Sequence, residues 1–120
     1  MTPRKILSLV GAAGALLLVA TQAEAHARVV ASTPAASATV ASPRALSVTF
    51  SERVAPAFSG FEVVNAAGAR FAVTTTVSED GKTVSGRTTR PLAAGGYSLN
   101  WHAASADGHR MIGVIAFTVR

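Results

Sequence analysis

The chain has 120 residues, a formal net charge of +5, 49% apolar and 14% charged residues, and no cysteine. That length suits one domain, the apolar share excludes a disordered chain, and the absence of thiols excludes a disulfide framework, a thiolate metal site and a cysteine nucleophile. Beyond residue 25 the basic residues stand singly, without the clustering or aromatic interleaving of a nucleic-acid-binding surface.

In chain order, Arg4 and Lys5 open a segment in which Ile6 to Ala20 are apolar or small apart from Ser8. Ala23-Glu24-Ala25 then places small residues where a signal peptidase cuts. The apolar run is shorter than the roughly 20 residues that span a bilayer. Residues 1–25 therefore read as a cleaved secretory signal and residues 26–120 as the exported domain, expected in the periplasm. Cleavage removes Arg4, Lys5 and Glu24 and lowers the net charge from +5 to +4.

A first strand is expected near Arg28, followed by Pro34 and Pro43 in turns. Leu46, Val48 and Phe50 alternate with Ser47 and Thr49, the period-2 pattern of a half-buried strand. Further runs rich in β-branched and aromatic residues cover 61–64, 71–77, 83–88, 97–101 and 112–119. Turn chemistry separates them at Asn65-Ala66-Ala67-Gly68, Glu79-Asp80-Gly81, Pro91 to Gly96 and Ala106-Asp107-Gly108. No stretch keeps a helical period over three turns. About seven short strands at this spacing predict an all-β fold, an antiparallel β-sandwich of immunoglobulin-like kind. Tyr97, Leu99 and Trp101 share one face, which places Trp101 in the core. His102 then points the opposite way and reads as a solvated histidine.

The remaining chemistry concentrates in a few residues. Once the bond after Ala25 is cut, His26 offers its α-amine and its imidazole together, whereas an internal histidine offers the ring alone. Both groups have reference pKa values between about 6.5 and 8 and release protons to a metal near neutral pH. Asp107-Gly108-His109 adds a carboxylate and an imidazole two residues apart. Turn chemistry alone accounts for Asp107 and Gly108 but leaves His109 unexplained. Glu52 is a further candidate, with a solvated glutamate paired to Arg53 or another arginine as the alternative. A nitrogen and oxygen set in tetragonal geometry points to Cu(II), with Ni(II) second and zinc possible, while calcium and magnesium want more oxygen ligands. Of the two methionines, Met1 leaves with the signal and Met111 stands alone as a packing residue, so a methionine-rich Cu(I) site is not expected.

These residues resemble the CopC family of periplasmic copper-binding proteins. The resemblance rests on His26-Ala27, Ser32-Thr33-Pro34, Val48-Thr49-Phe50-Ser51-Glu52, Gly96 to Trp101, Ser105-Ala106-Asp107-Gly108-His109 and Gly113 to Val119, in that order and spacing. It implies a Greek-key β-sandwich, cupredoxin-like or immunoglobulin-like. It also implies one Cu(II) ion per chain held by the amine and ring of His26, the Asp107 carboxylate and the His109 ring, with Glu52 peripheral or axial. A monomeric, non-enzymatic carrier or buffer for copper homeostasis or resistance is expected. Delivery to a CopD-like inner-membrane copper transporter follows by analogy. A terminal histidine with a second histidine also resembles the brace of lytic polysaccharide monooxygenases, but a carboxylate ligand favours Cu(II), and the short chain leaves little room for a broad substrate face.

Overall fold

The structure, a computed structural model, describes residues 27–120. The signal-peptide reading and the His26 ligand reading fall on residues 1–26 and lie outside the described residues. The described chain runs through nine strands: β1 Val29–Thr33, β2 Thr39–Val40, β3 Ala45–Phe50, β4 Gly60–Asn65, β5 Arg70–Phe71, β6 Val73–Val77, β7 Thr83–Thr88, β8 Gly95–Ala104 and β9 Arg110–Val119. A 3₁₀ turn, Pro56–Phe58, precedes β4.

Two sheets form the sandwich, one ordered β1-β3-β7-β6 and the other β2-β9-β8-β4-β5. Their facing sides hold Leu46, Val48 and Phe50 from β3, Val63 from β4, Leu99 from β8 and Phe117 from β9, all buried. Burial of each such side chain stabilises the fold by about 1.5–3 kcal/mol relative to exposure. Trp101 faces inward, as its parity with Tyr97 and Leu99 predicts, and meets Phe50 of the opposite sheet edge-on with ring centroids 5.2 Å apart. Its register partner on β9 is Gly113, and a Cβ there would stand 2.4 Å from the indole. Met111 packs against the core and His102 is exposed, both as expected.

The strands differ from the sequence reading in two respects. The run 71–77 is not one strand: Phe71 pairs with Val63 in the five-stranded sheet, whereas Val73 pairs with Thr88 in the four-stranded one. The chain crosses between sheets at Ala72. Phe71, Val73, Thr75 and Val77 are all half-buried, so the alternation continues through the crossing and conceals it. The two-residue strands β2 and β5 also raise the number above the expected seven, and β2 pairs with β9 in parallel within an otherwise antiparallel sandwich.

Candidate metal centre

Asp107 and His109 sit in the turn that joins β8 to β9. The turn closes because Gly108 N–H donates to the Ser105 carbonyl at 2.9 Å and Ser105 N–H donates to the His109 carbonyl at 2.9 Å. Gly108 adopts φ 92°, a left-handed conformation that glycine reaches without a Cβ penalty. Asp107 Oδ1 accepts the Ser105 hydroxyl and, at 3.3 Å, the His109 N–H. Its second oxygen, Oδ2, lies 3.0 Å from His109 Nδ1. The Ser105 hydroxyl, and after it the His109 imidazole, hold the Asp107 carboxyl well below the usual carboxylate range. Asp107 is therefore an anion at any pH at which a metal could compete for the imidazole.

Both groups face water, with 62% of the His109 side chain and 38% of the Asp107 side chain exposed. Two cis donors at bond lengths near 2.0 Å stand about 2.8 Å apart, so the observed separation of 3.0 Å suits a pair sharing a metal. In its absence the same atoms make a charge-assisted hydrogen bond. Among the described residues, no three His, Asp or Glu side chains form a group able to hold a metal. Asp107 and His109 thus form a pair of potential donors without a third among the described residues.

The other half of the question is what lies beside them. The segment from Ser51 to Ala55 carries the chain from β3 in one sheet toward β4 in the other. Val54 forms an isolated bridge with Ser105, and Ala55 N–H donates to the Ala104 carbonyl at 2.8 Å. Ser51, at the start of this segment, exchanges bonds with Arg28: its N–H donates to the Arg28 carbonyl at 2.8 Å, and its Oγ accepts the Arg28 N–H at 3.0 Å. Ala27, the first described residue, is buried in the core. The described chain thus begins at the end of the sandwich that carries Asp107 and His109. Glu52 lies in the same crossing segment and is exposed, but it does not complete a three-donor group with the pair. Arg53, its expected neighbour, instead donates from Nη1 to the Asp80 carbonyl at 3.0 Å.

The structure brings the sequence candidates Asp107 and His109 together, and it adds two residues whose part in the turn the sequence reading did not assign, Ser105 and Val54. Ser105 had a local signal, since Ser two residues before an Asp-Gly turn can bond the carboxylate. Val54 had none, because its bridge to Ser105 spans a distance in sequence that no local pattern encodes.

The fold is a two-sheet β-sandwich with an anionic carboxylate and an imidazole paired at one end. Residues 29–120 match the CopC domain model. The chain is 36% identical over 111 residues to copper resistance protein C of Pseudomonas syringae pv. tomato, covering 87% of this chain and 88% of that one. It is 32% identical over 110 residues to copper resistance protein C of Xanthomonas campestris pv. juglandis, covering 86% and 87%. Among solved structures, PcoC, a methionine-rich copper resistance protein from Escherichia coli, superposes with a TM-score of 0.73 at 31% identity over 80% of this chain and 100% of that one. CopC from Methylosinus trichosporium OB3b superposes with a TM-score of 0.73 at 27% identity over 78% and 93%. The chain belongs to the CopC domain family.

Proposed function

We propose that this protein is a periplasmic Cu(II) carrier or buffer that serves copper homeostasis or resistance. In this reading, export and cleavage after Ala25 leave residues 26–120 as the working domain, and His26 supplies its new α-amine and its ring. Asp107 supplies a carboxylate oxygen and His109 a ring nitrogen, giving one Cu(II) per chain, with Glu52 peripheral or axial. The observation that carries the reading is the Asp107–His109 pair, held 3.0 Å apart at the end of the sandwich where Ala27 is anchored. The family relatives named for copper resistance support the choice of metal.

The donor chemistry agrees with that choice. Nitrogen and anionic oxygen donors suit Cu(II), and the Irving–Williams order favours it over its divalent competitors. A methionine-rich thioether route to Cu(I) lacks ligands in this reading, because Met1 leaves with the signal and Met111 packs against the core. An anionic Asp107 on copper stabilises the higher oxidation state, which suits carriage better than redox catalysis. Release to a CopD-like inner-membrane transporter is the corresponding delivery step.

The test is a Cu(II) titration with electron paramagnetic resonance on the chain starting at His26, beside the same chain with one glycine added in front. Tight one-to-one binding with nitrogen hyperfine structure is expected from the first. The added glycine turns the His26 amine into an amide and should weaken binding by more than about 100-fold, beyond what loss of a supporting contact costs. Equal binding by both chains would exclude the amine as a ligand.

A further inference from the structure

Where the chain crosses between the sheets at Ala72, it leaves a hollow of about 200 Å³ in the seam, lined by Arg70, Phe71, Ala72, Thr88, Thr89 and Arg90. Arg70 opens β5 in the five-stranded sheet, and Arg90 follows β7 in the four-stranded one. Two arginines from different sheets therefore border one small opening, and little in the chain offsets their charge. Arg90 lies over the Phe71 ring, 5.4 Å from its centroid. Arg70 Nη1 stands 3.6 Å from Glu62 Oε1, too far for a hydrogen bond. A third group at the hollow is unsatisfied: Thr88 is 5% exposed, and its Oγ1 is buried without a hydrogen-bond partner. An unpaired buried hydroxyl is destabilising, and valine would serve as well if Thr88 did no more than pair with Val73 in the ladder.

The surrounding field has one sign. Arg44, whose carbonyl accepts Thr88 N–H at 3.1 Å, stands at this end of the sandwich, as do Arg87, opposite Ala45, and Arg120, just past β9. Among the described side-chain carboxylates, Glu52, Glu79, Asp80 and Asp107 lie at the other end, where Val54 bridges Ser105 and donates its N–H to the Gly81 carbonyl. Such a separation concentrates anions at the arginine end.

We propose that this hollow binds a tetrahedral oxyanion of the phosphate class, either inorganic phosphate or the phosphomonoester of a lipid headgroup. Each guanidinium offers paired N–H donors that match phosphate oxygens, and the Thr88 hydroxyl behind them donates to a further oxygen. A carboxylate, with two oxygens in one plane, cannot answer all three donors. Drug-sized ligands fill sites of about 300–1,000 Å³, so a hollow of about 200 Å³ suits the phosphate group itself rather than a nucleotide. Glu62 is the competitor, since it is the carboxylate next to Arg70.

The test is a nuclear magnetic resonance titration of the chain from His26 onward, which contains every described strand, with inorganic phosphate. Run in chelator, it is independent of copper and of the carrier reading. Saturable shifts centred on Arg70, Phe71, Thr88 and Arg90 are expected. Arg70→Gln and Arg90→Gln should each weaken binding at least about tenfold, and Thr88→Val at least about fivefold. Thr88→Val should meanwhile leave the urea midpoint of the free protein unchanged or raised, which a merely structural hydroxyl would not do. Glu62→Gln should tighten binding, and Arg44→Gln, outside the hollow, should change it less than about twofold. Vesicles of phosphatidic acid in phosphatidylcholine separate the two sources. Co-sedimentation that inorganic phosphate displaces and Arg90→Gln abolishes identifies the headgroup, whereas saturable phosphate binding without co-sedimentation identifies the free ion. Shifts that do not saturate, or binding of phosphate or vesicles that survives both Arg70→Gln and Arg90→Gln, overturn the proposal.

Discussion

Two turns of this molecule share one five-residue pattern: Ser78-Glu79-Asp80-Gly81-Lys82 between β6 and β7, and Ser105-Ala106-Asp107-Gly108-His109 between β8 and β9. In each, the serine hydroxyl bonds Asp Oδ1, and the glycine N–H donates to the serine carbonyl. In each, the same Oδ1 accepts the N–H of the fifth residue, at 3.0 Å from Lys82 and 3.3 Å from His109. Both glycines have positive φ, 77° and 92°. Turn chemistry therefore explains the serine, the aspartate and the glycine equally well in both. The fifth separates them: Lys82 cannot donate an electron pair to a metal while charged, whereas the His109 ring is held against Asp107 Oδ2. The serine–aspartate unit is a folding device in both turns, and the imidazole set against its carboxylate is what the proposed copper site requires of one of them.

The largest expected effect tests that division directly. Replacing Asp107 or His109 by alanine should lower Cu(II) affinity more than about 100-fold, since losing even a supporting contact costs 10 to 100. Asp80→Ala should leave it within about threefold. Competition titration against a chelator reads both, and a comparable loss from Asp80→Ala would erase the functional distinction between the turns.

A swap of the fifth residues is sharper. His109→Lys should lose binding as His109→Ala does, and adding Lys82→His should restore less than about a tenth of it. The Arg53 guanidinium, bonded to the Asp80 carbonyl, sets a cation beside that turn and opposes a second one. Recovery of full affinity would mean that any histidine behind this turn suffices.

Stability should respond in the opposite order. Gly81→Ala should cost about 1–2 kcal/mol and Gly108→Ala about 1 kcal/mol in urea unfolding, the penalty for an L-residue in the left-handed region. The excess at Gly81 arises because a Cβ there meets Arg53 at 3.2 Å, while nothing lies within 4 Å at Gly108. Equal costs would show that Arg53 moves aside freely.

The smallest effect is acid sensitivity of the metal-free protein. Both aspartates have folded pKa values held below the unfolded value of about 3.9, Asp80 first through Ser78 and then through the Lys82 N–H. A depressed folded pKa contributes stability that is present above the unfolded pKa and lost as pH falls toward the folded one. Unfolding midpoints should thus decline below about pH 4, and Asp80→Asn should flatten that decline. An unchanged acid limb would show that the hydrogen bonds at Asp80 persist equally in the unfolded chain.

Much of this molecule was legible in its sequence, for reasons that are local. Alternation at Leu46, Val48 and Phe50 settled a strand and its buried face, and the same parity put Trp101 inward and His102 outward. The Asp-Gly turns were equally plain, and His109 stood out because turn chemistry did not need it. Where the pattern failed, the cause was non-local. The half-burial of Phe71 and Val73 follows one period through a change of sheet, and only pairing with Val63 on one side and Thr88 on the other tells them apart.

By itself, then, the sequence determined most of the strands, the turns and the candidate donor types, because backbone periodicity, glycine conformation and side-chain chemistry act over a few residues. Tertiary structure alone decided that the segment from Ser51 to Ala55 ties the start of the described chain to the Ser105 turn, and that Asp107 Oδ2 faces His109 Nδ1 at 3.0 Å. Those contacts depend on closing two sheets over a shared core, and the register of that closure is set by packing between residues far apart in the chain.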